Sequence, residues 1–296
     1  MEGGAAIADH FGLSPLLIGL TIISIGTSAP EILVSANAAI DQSSGLAVGN
    51  ALGSNLANVG LVLAITALIC PIAISPGIAR TEAPIMLGAT AVAGFVLYNS
   101  YLGRAESLLL IAGLFLFIFF LITKARKGSG AEELAQGVEI HPMPLKKSAF
   151  LTLIGLVILI FSSRVLVWSA SELASQFGVS DLVIGITVVA VGTSLPELAA
   201  SLTGALKGHA DMAIGNVLGS NIFNLLAVLP VAGIIYPMHI EGVSFGRDFG
   251  SVLFISLLLG IFCLWKTRGN KSGKLGRPMG VLLLAAYVGY YCWLFA

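Results

Sequence analysis

The sequence predicts an all-α polytopic membrane protein made of two related halves, and three observations predict it. The first is composition: of 296 residues, 57% are hydrophobic and only 10% charged, with a mean hydropathy of +0.98. Soluble domains carry about 25% charged residues. The second is a series of nine apolar stretches, each near the ~20 residues that cross the hydrocarbon core of a bilayer. They lie at roughly 13–40, 46–70, 82–100, 105–123, 147–170, 179–206, 212–236, 248–266 and 278–296. The third is one polar stretch that occurs twice in strict register.

In chain order, the first segment carries Gly26-Thr27-Ser28-Ala29-Pro30-Glu31 and the second carries Gly49-Asn50-Ala51-Leu52-Gly53-Ser54-Asn55. The third and fourth segments are plainly apolar. The loop 124–146 is short and polar, with no room for a folded regulatory domain. The fifth segment is apolar again. The sixth carries Gly192-Thr193-Ser194-Leu195-Pro196-Glu197, and the seventh Gly215-Asn216-Val217-Leu218-Gly219-Ser220-Asn221. Every motif residue recurs 166 positions on. The four motif segments are interrupted by Gly, Pro, Ser and Asn, so they are expected to break where they line a cavity. The eighth and ninth segments flank a basic, Gly-rich turn from Lys266 to Pro278, whose charges suit topology setting and contact with anionic headgroups.

The two Pro-Glu segments are five spans apart and therefore cross the membrane in opposite directions. The repeat is inverted, with a pseudo-two-fold axis in the membrane plane. Two halves follow, 1–123 and 147–296, joined by the loop 124–146. Placing that loop in the cytoplasm puts 12 of the 15 Lys and Arg residues inside and leaves Arg104, Arg164 and Arg247 outside. The start of the chain is then cytoplasmic and the C-terminus outside. Subtracting 166 from the fifth segment places its first-half counterpart almost wholly before Met1. Only Ala8-Asp9-His10-Phe11-Gly12 remains, against Ala174-Ser175-Gln176-Phe177-Gly178. The first half is read as lacking its first helix.

Zero net charge gives no case for nucleic acid, and the first residues lack the basic region of a signal peptide. Cys70, Cys263 and Cys292 are far apart and read as packing residues. His10, His141, His209 and His239 fall in or near loops without ligand spacing and read as solvated. With no intramembrane His or Asp to build a nucleophile–base pair or a catalytic metal, the chain reads as a non-enzyme.

Glu31 and Glu197 are the only acidic residues deep within apolar segments; Glu82, Asp248 and the others fall near segment ends. Carboxylates in lipid are costly and mark functional sites. Without basic partners these two need a proton or a metal ion. Pro30 and Pro196 cannot donate backbone hydrogen bonds, so carbonyls around 23–27 and 189–193 are expected to lack helical partners. Thr27, Ser28, Thr193 and Ser194 stand beside them. Ser54 with Asn58, and Ser220 with Asn224, add oxygens four residues apart on one face of each partner segment. This is a hard-oxygen set that suits calcium, and also sodium, without the soft ligands of copper or zinc sites. Gly49/Gly53 and Gly215/Gly219 would let helix backbones approach closely. Asn50, Asn55, Asn216 and Asn221 read as amides bonding exposed backbone at the helix breaks.

These paired motifs resemble the α-repeats of the calcium/cation antiporter superfamily, the sodium/calcium exchangers, over essentially the whole chain. The likeness is to short bacterial inner-membrane members without a regulatory domain. It implies an inverted-repeat exchanger fold of ten helices, nine of them in this chain, that works as a monomer. The function implied is alternating-access exchange of calcium against sodium, with protons as the alternative counter-ion, and no cofactor beyond the transported ions. Glu31 and Glu197 would be the central calcium ligands. Thr27 and Thr193 would give backbone oxygens, and Ser28 and Ser194 hydroxyls. Ser54, Ser220, Asn58 and Asn224 would complete the sites, with carbonyls of Ser24 and Ala190 serving sodium. Some exchangers carry Asp where this chain has Asn58 or Asn224. A non-transporting homologue and a cation channel are the remaining alternatives.

Overall fold

A computed structural model describes residues 2–11, 13–126, 143–177 and 190–296. The order of helices is α1 (Glu2–His10), α2 (Leu16–Thr27), α3 (Ala29–Ile40), α4 (Ser44–Ile69), α5 (Ala83–Leu97) and α6 (Arg104–Arg126) in the first half. The second half holds α7 (Leu145–Gln176), α8 (Ala190–Thr193), α9 (Leu195–Leu206), α10 (Ala210–Ile235), α11 (Phe245–Lys266) and α12 (Arg277–Phe295).

Among the described residues, six helices are long and apolar enough to cross a membrane: α4, α6, α10, α11, α12 and the Leu145–Ser162 part of α7. The pair α2–α3, bent by 41° at its break, brings the number to seven. The third segment, 82–100, is a 15-residue helix, α5, led by a π-helical turn over Ile78–Glu82. In the sixth segment, 179–189 lies outside the described residues, as do His141 and most of the 124–146 loop. Two boundaries move: the fourth helix runs on to Arg126, and the fifth is a 32-residue helix. The short helix α1, absent from the nine apolar stretches, packs on α7 where Gly3 approaches Ser148 and Thr152 closely.

The repeat is written in the backbone as well as in the letters. α3 and α9, and likewise α4 and α10, begin and end 166 residues apart. The helix breaks fall at Ser28 (φ −83°, ψ 4°) and at Ser194 (φ −86°, ψ 2°), each followed by a proline in the next helix's first turn. After α3, Ser43 donates its N–H to the Ala38 carbonyl; after α9, His209 donates to Gly204. Both turns pass through a left-handed residue, Gln42 (φ 57°) and Gly208 (φ 83°), the conformation that commonly ends a helix.

Four short strands form two antiparallel ribbons that stitch the halves together. β1 (Ile72–Ile74), after α4, pairs with β4 (Gly273–Leu275), between α11 and α12. β2 (Tyr101–Leu102), between α5 and α6, pairs with β3 (Met238–His239), after α10. A two-fold exchange of the halves swaps one ribbon for the other, so the ribbons cap opposite ends of the bundle. At its centre, α2 lies against α10 with almost no side chain between them. A Cβ on Gly19 would stand 2.5 Å from the Met212 carbonyl, and one on Gly215 2.6 Å from that of Leu16. Gly219 is as tight, 2.8 Å from the Leu20 carbonyl. Bare glycine faces bring these backbones together, and so bring the two motif breaks to one place. The outer helices turn Phe115, Leu116, Phe119, Phe161 and Trp168 outward, which suits hydrocarbon and not water.

Candidate ion-binding site

Glu31 and Glu197 sit in the first turns of α3 and α9, and both side chains are completely buried. A helix start carries unpaired N–H groups and the positive end of the macrodipole, which favours a carboxylate. Proline at this position ends the preceding helix and costs no intrahelical bond in the next one. The sequence thus builds a buried place for each glutamate, and the α2–α10 contact sets the two places side by side.

Each glutamate backbone is clamped by the same network. Asn50 Nδ2 donates to the Glu31 carbonyl (3.0 Å) and to Ser35 Oγ (2.9 Å), and Ser35 Oγ donates to the Ala47 carbonyl (3.0 Å). Asn216 Nδ2 donates to the Glu197 carbonyl (3.3 Å) and to Ser201 Oγ (3.0 Å), and Ser201 to Ala213 (3.3 Å). Asn50 and Asn216 therefore bond backbone at the breaks, as the sequence implied. Asn55 and Asn221 do not: Asn221 Nδ2 meets Met86 Sδ at 3.7 Å, and both Oδ1 atoms lack a partner among the described residues.

The side chains cross between the halves. Ser28 Oγ, from the first break, donates to Glu197 Oε1 (3.2 Å), and Ser220 Oγ reaches the same oxygen (3.4 Å). Thr27 Oγ1 donates to Asn216 Oδ1 (3.2 Å). Against this, several buried atoms have no hydrogen-bond partner among the described residues. They are both Glu31 oxygens, Glu197 Oε2, Ser54 Oγ, Ser194 Oγ, and both amide atoms of Asn58 and Asn224. Buried polar groups are nearly always bonded, so this concentration calls for an explanation. The orphaned set is rich in hard oxygen and carries the two carboxylates, which is the ligand chemistry of calcium or sodium.

The sequence expectations fare unevenly. Thr27, Ser28, Glu31, Ser54, Thr193, Ser194, Glu197, Ser220, Asn58 and Asn224 are all buried. Ser24 is buried too, but its carbonyl is not left bare: it accepts from the Ser28 N–H (3.0 Å) and from Thr27 Oγ1 (3.4 Å). Pro30 withdraws the donor to the carbonyl four residues back, at Gly26, whereas Ser24 keeps its ordinary helical donor, the Ser28 N–H. Ala190 is the first described residue of α8, and Arg164 lies within α7 with its side chain outside the described set. His209, read as solvated, is only 6% exposed at the start of α10.

Two features escaped the sequence reading. Asn58 and Asn224 each open a π-helical stretch, Asn58–Leu63 and Asn224–Val228, and such wide turns often mark functional sites. A second acidic pair, Glu82 and Asp248, is also spaced by 166 and is 1% and 5% exposed. Glu82 is paired with Lys124; Asp248 accepts from Arg247 Nε (2.7 Å) and from Tyr290 Oη (3.1 Å). Lys124 and Tyr290 are themselves 166 apart. The register alone could have found this pair; placing the residues near segment ends hid their burial.

The family model described as sodium/calcium exchanger protein matches residues 1–123 and 147–296. The inner membrane protein YrbG of Escherichia coli (strain K12) is 38% identical over 96% of this chain and 88% of its own length. The sodium/calcium exchanger MaX1 of Methanosarcina acetivorans is 30% identical over the whole of this chain and 93% of its own. A solved structure of the sodium-calcium exchanger NCX_Mj, soaked with Na+ and Ca2+, superposes with a TM-score of 0.81 at 33% identity. It covers 98% of this chain and 90% of that one. A duplicated Pro-Glu break, a duplicated Gly-Ser-Asn helix and this breadth of likeness lead to one conclusion: the chain belongs to the sodium/calcium exchanger family.

Proposed function

We propose that the chain is a secondary antiporter that carries calcium in exchange for sodium, both ions competing for the cavity between Glu31 and Glu197. The observation that carries this reading is the pair of fully buried glutamates, one from each inverted half, among orphaned oxygens. Two bare carboxylates in low dielectric are costly. The empty carrier therefore resists the passage between inward-open and outward-open forms, and one calcium or two sodium ions lift that cost by neutralising the pair. Flux in one direction is tied to flux in the other without covalent chemistry. The ligands are those named from the sequence, less the Ser24 carbonyl: Glu31, Glu197, Ser28, Ser54, Ser194, Ser220, Asn58 and Asn224, with backbone oxygens at Thr27, Thr193 and Ala190.

The nine-span topology, with the 124–146 loop cytoplasmic and the C-terminus outside, belongs to the same proposal. The bias of Lys and Arg supports it, and so does the parity of the ribbons, which pair 72–74 with 273–275 and 101–102 with 238–239. The protein would act as a monomer in the inner membrane, since both halves of the site lie in one chain. Protons are the second counter-ion to consider, because amides at Asn58 and Asn224 leave only two carboxylates in the cavity.

The test is calcium-45 uptake into everted vesicles loaded with sodium. Uptake should require the sodium gradient, saturate, and vanish in Glu31→Gln and in Glu197→Gln while both variants still insert. Uptake that follows only an imposed pH gradient would replace sodium with protons, and uptake unchanged in either variant would remove the site assignment.

A further inference from the structure

A cavity of about 330 Å³ lies between α11 and α12, lined among others by the buried Leu56 of α4, Gly246 and Gly250 on α11, and Gly289, Tyr290 and Trp293 on α12. At many other helix contacts glycine serves close packing: a Cβ on Gly94 would meet Phe249 at 2.4 Å, and one on Gly280 the Ala64 carbonyl at 2.9 Å. At Gly246 and Gly289 it would meet nothing within 4 Å, and at Gly250 only a carbonyl at 3.9 Å. These glycines hold space open instead of closing it. The inverted counterpart confirms the contrast. Subtracting 166 from Gly246, Gly250, Ala286 and Gly289 gives Arg80, Pro84, Phe120 and Thr123, so the first half places larger side chains at all four positions. The exchange is not wholly one-way, since Phe254 of the groove stands opposite Gly88.

The lining also defines the occupant. Its two hydroxyls are already engaged: Ser251 Oγ donates to the Arg247 carbonyl (2.6 Å) and Tyr290 Oη to Asp248 Oδ1 (3.1 Å). That leaves the indole N–H of Trp293, at the outer end of the groove, as the lining side-chain donor for a polar headgroup, and the rest of the lining is apolar. Both helices turn much of their surface outward, Phe254 and Trp293 among it, so hydrocarbon is the surrounding medium. Tyr290, Trp293 and the half-buried Arg247 gather at one end, the residue types that sit at a membrane–water interface.

We infer that this groove holds one acyl chain of a phospholipid from the leaflet on the β2–β3 side, its headgroup level with Arg247 and Trp293. The chain end rests on Leu56, which lies between Ser54 and Asn58 on α4. A lipid seated there braces the helix that supplies one wall of the ion site.

Native mass spectrometry of the full chain, purified in mild detergent, tests this directly. Wild-type protein should retain one phospholipid more than Gly289→Leu or Gly250→Leu. Gly88→Leu, at a first-half glycine whose Cβ also meets nothing, should retain the wild-type number. A second readout needs no filled groove. With Trp168 and Trp265 replaced by Phe, one equivalent of a phospholipid with brominated acyl chains should quench Trp293 in delipidated protein. Equal lipid retention in wild type and both filled variants, retention of detergent alone, or quenching that rises only with bulk lipid would each overturn the assignment.

Discussion

The two halves share a backbone and differ in how their glutamates are held. Glu197 receives two hydroxyls, one from Ser28 across the interface and one from Ser220. The equivalent donors to Glu31 are Ser194 and Ser54; neither makes a hydrogen bond within 3.5 Å, though Ser54 lies close enough to interact with the Glu31 carboxylate. The clamps behind the glutamates, through Asn50 and Asn216, are alike. Duplication has therefore fixed the positions of the carboxylates without fixing their bonding. A site whose two sides share a backbone and differ in side-chain bonding suits a carrier: its ligands must exchange partners as ions come and go.

The second acidic pair offers the sharpest way to break this comparison. Glu82 has a cationic partner in Lys124, whereas Asp248 has a phenol at the equivalent position, Tyr290, and draws its cation from the neighbouring Arg247. Removing one partner of a buried ion pair typically costs about 3–5 kcal/mol, so Lys124→Met should lower the melting temperature strongly. Tyr290→Phe leaves Asp248 its arginine and should cost about 1–2 kcal/mol. Equal losses would show that the two ends of the bundle are held alike.

The clamps make the opposite prediction. Asn50→Ala and Asn216→Ala each remove two buried hydrogen bonds, to a glutamate carbonyl and to a serine hydroxyl, at about 1–3 kcal/mol apiece, and thermal melts of the two variants should agree. A gap wider than about 1 kcal/mol would mean that the halves are not equivalent behind the site. The serines then separate the halves again. Without ions, Ser28→Ala and Ser220→Ala should each lower stability by about 1–2 kcal/mol, a hydrogen bond to a carboxyl group, while Ser194→Ala should change it little and Ser54→Ala, next to Glu31, should lower it by less than Ser28→Ala or Ser220→Ala. With calcium present, all four should weaken binding. The smallest effect lies at the return turns. Gln42 occupies the left-handed conformation that Gly208 adopts freely, so Gln42→Gly should stabilise by about 1 kcal/mol and Gly208→Ala should destabilise by a similar amount, read from the same melts.

Much of this architecture was legible in the sequence because the repeat is in register. Pro30 and Pro196 located the breaks, and the spacing of Gly215 and Gly219 foretold a close backbone contact that the structure places against Leu16 and Leu20. What stayed hidden depends on three dimensions. No pattern of letters announces that Asn58 and Asn224 open π-helical turns, since those turns are set by packing around the helix. His209 looked solvated and Glu82 and Asp248 looked peripheral because they sit near segment ends, where burial depends on the neighbour: α6 for Glu82 and α12 for Asp248. The Ser24 carbonyl was misjudged for a local reason. A proline removes the donor to the carbonyl four residues back, Gly26 for Pro30, so Ser24, two residues earlier, keeps its helical donor in Ser28.

Calcium binding to the purified protein tests the central claim, that two glutamates from opposite halves build one cation site. Titration of wild-type protein with calcium should reveal a single saturable site, and Glu31→Gln or Glu197→Gln alone should abolish it, with melting temperatures close to wild type. Two independent sites, one surviving intact in each variant, would contradict the account and leave each half of the molecule with a site of its own.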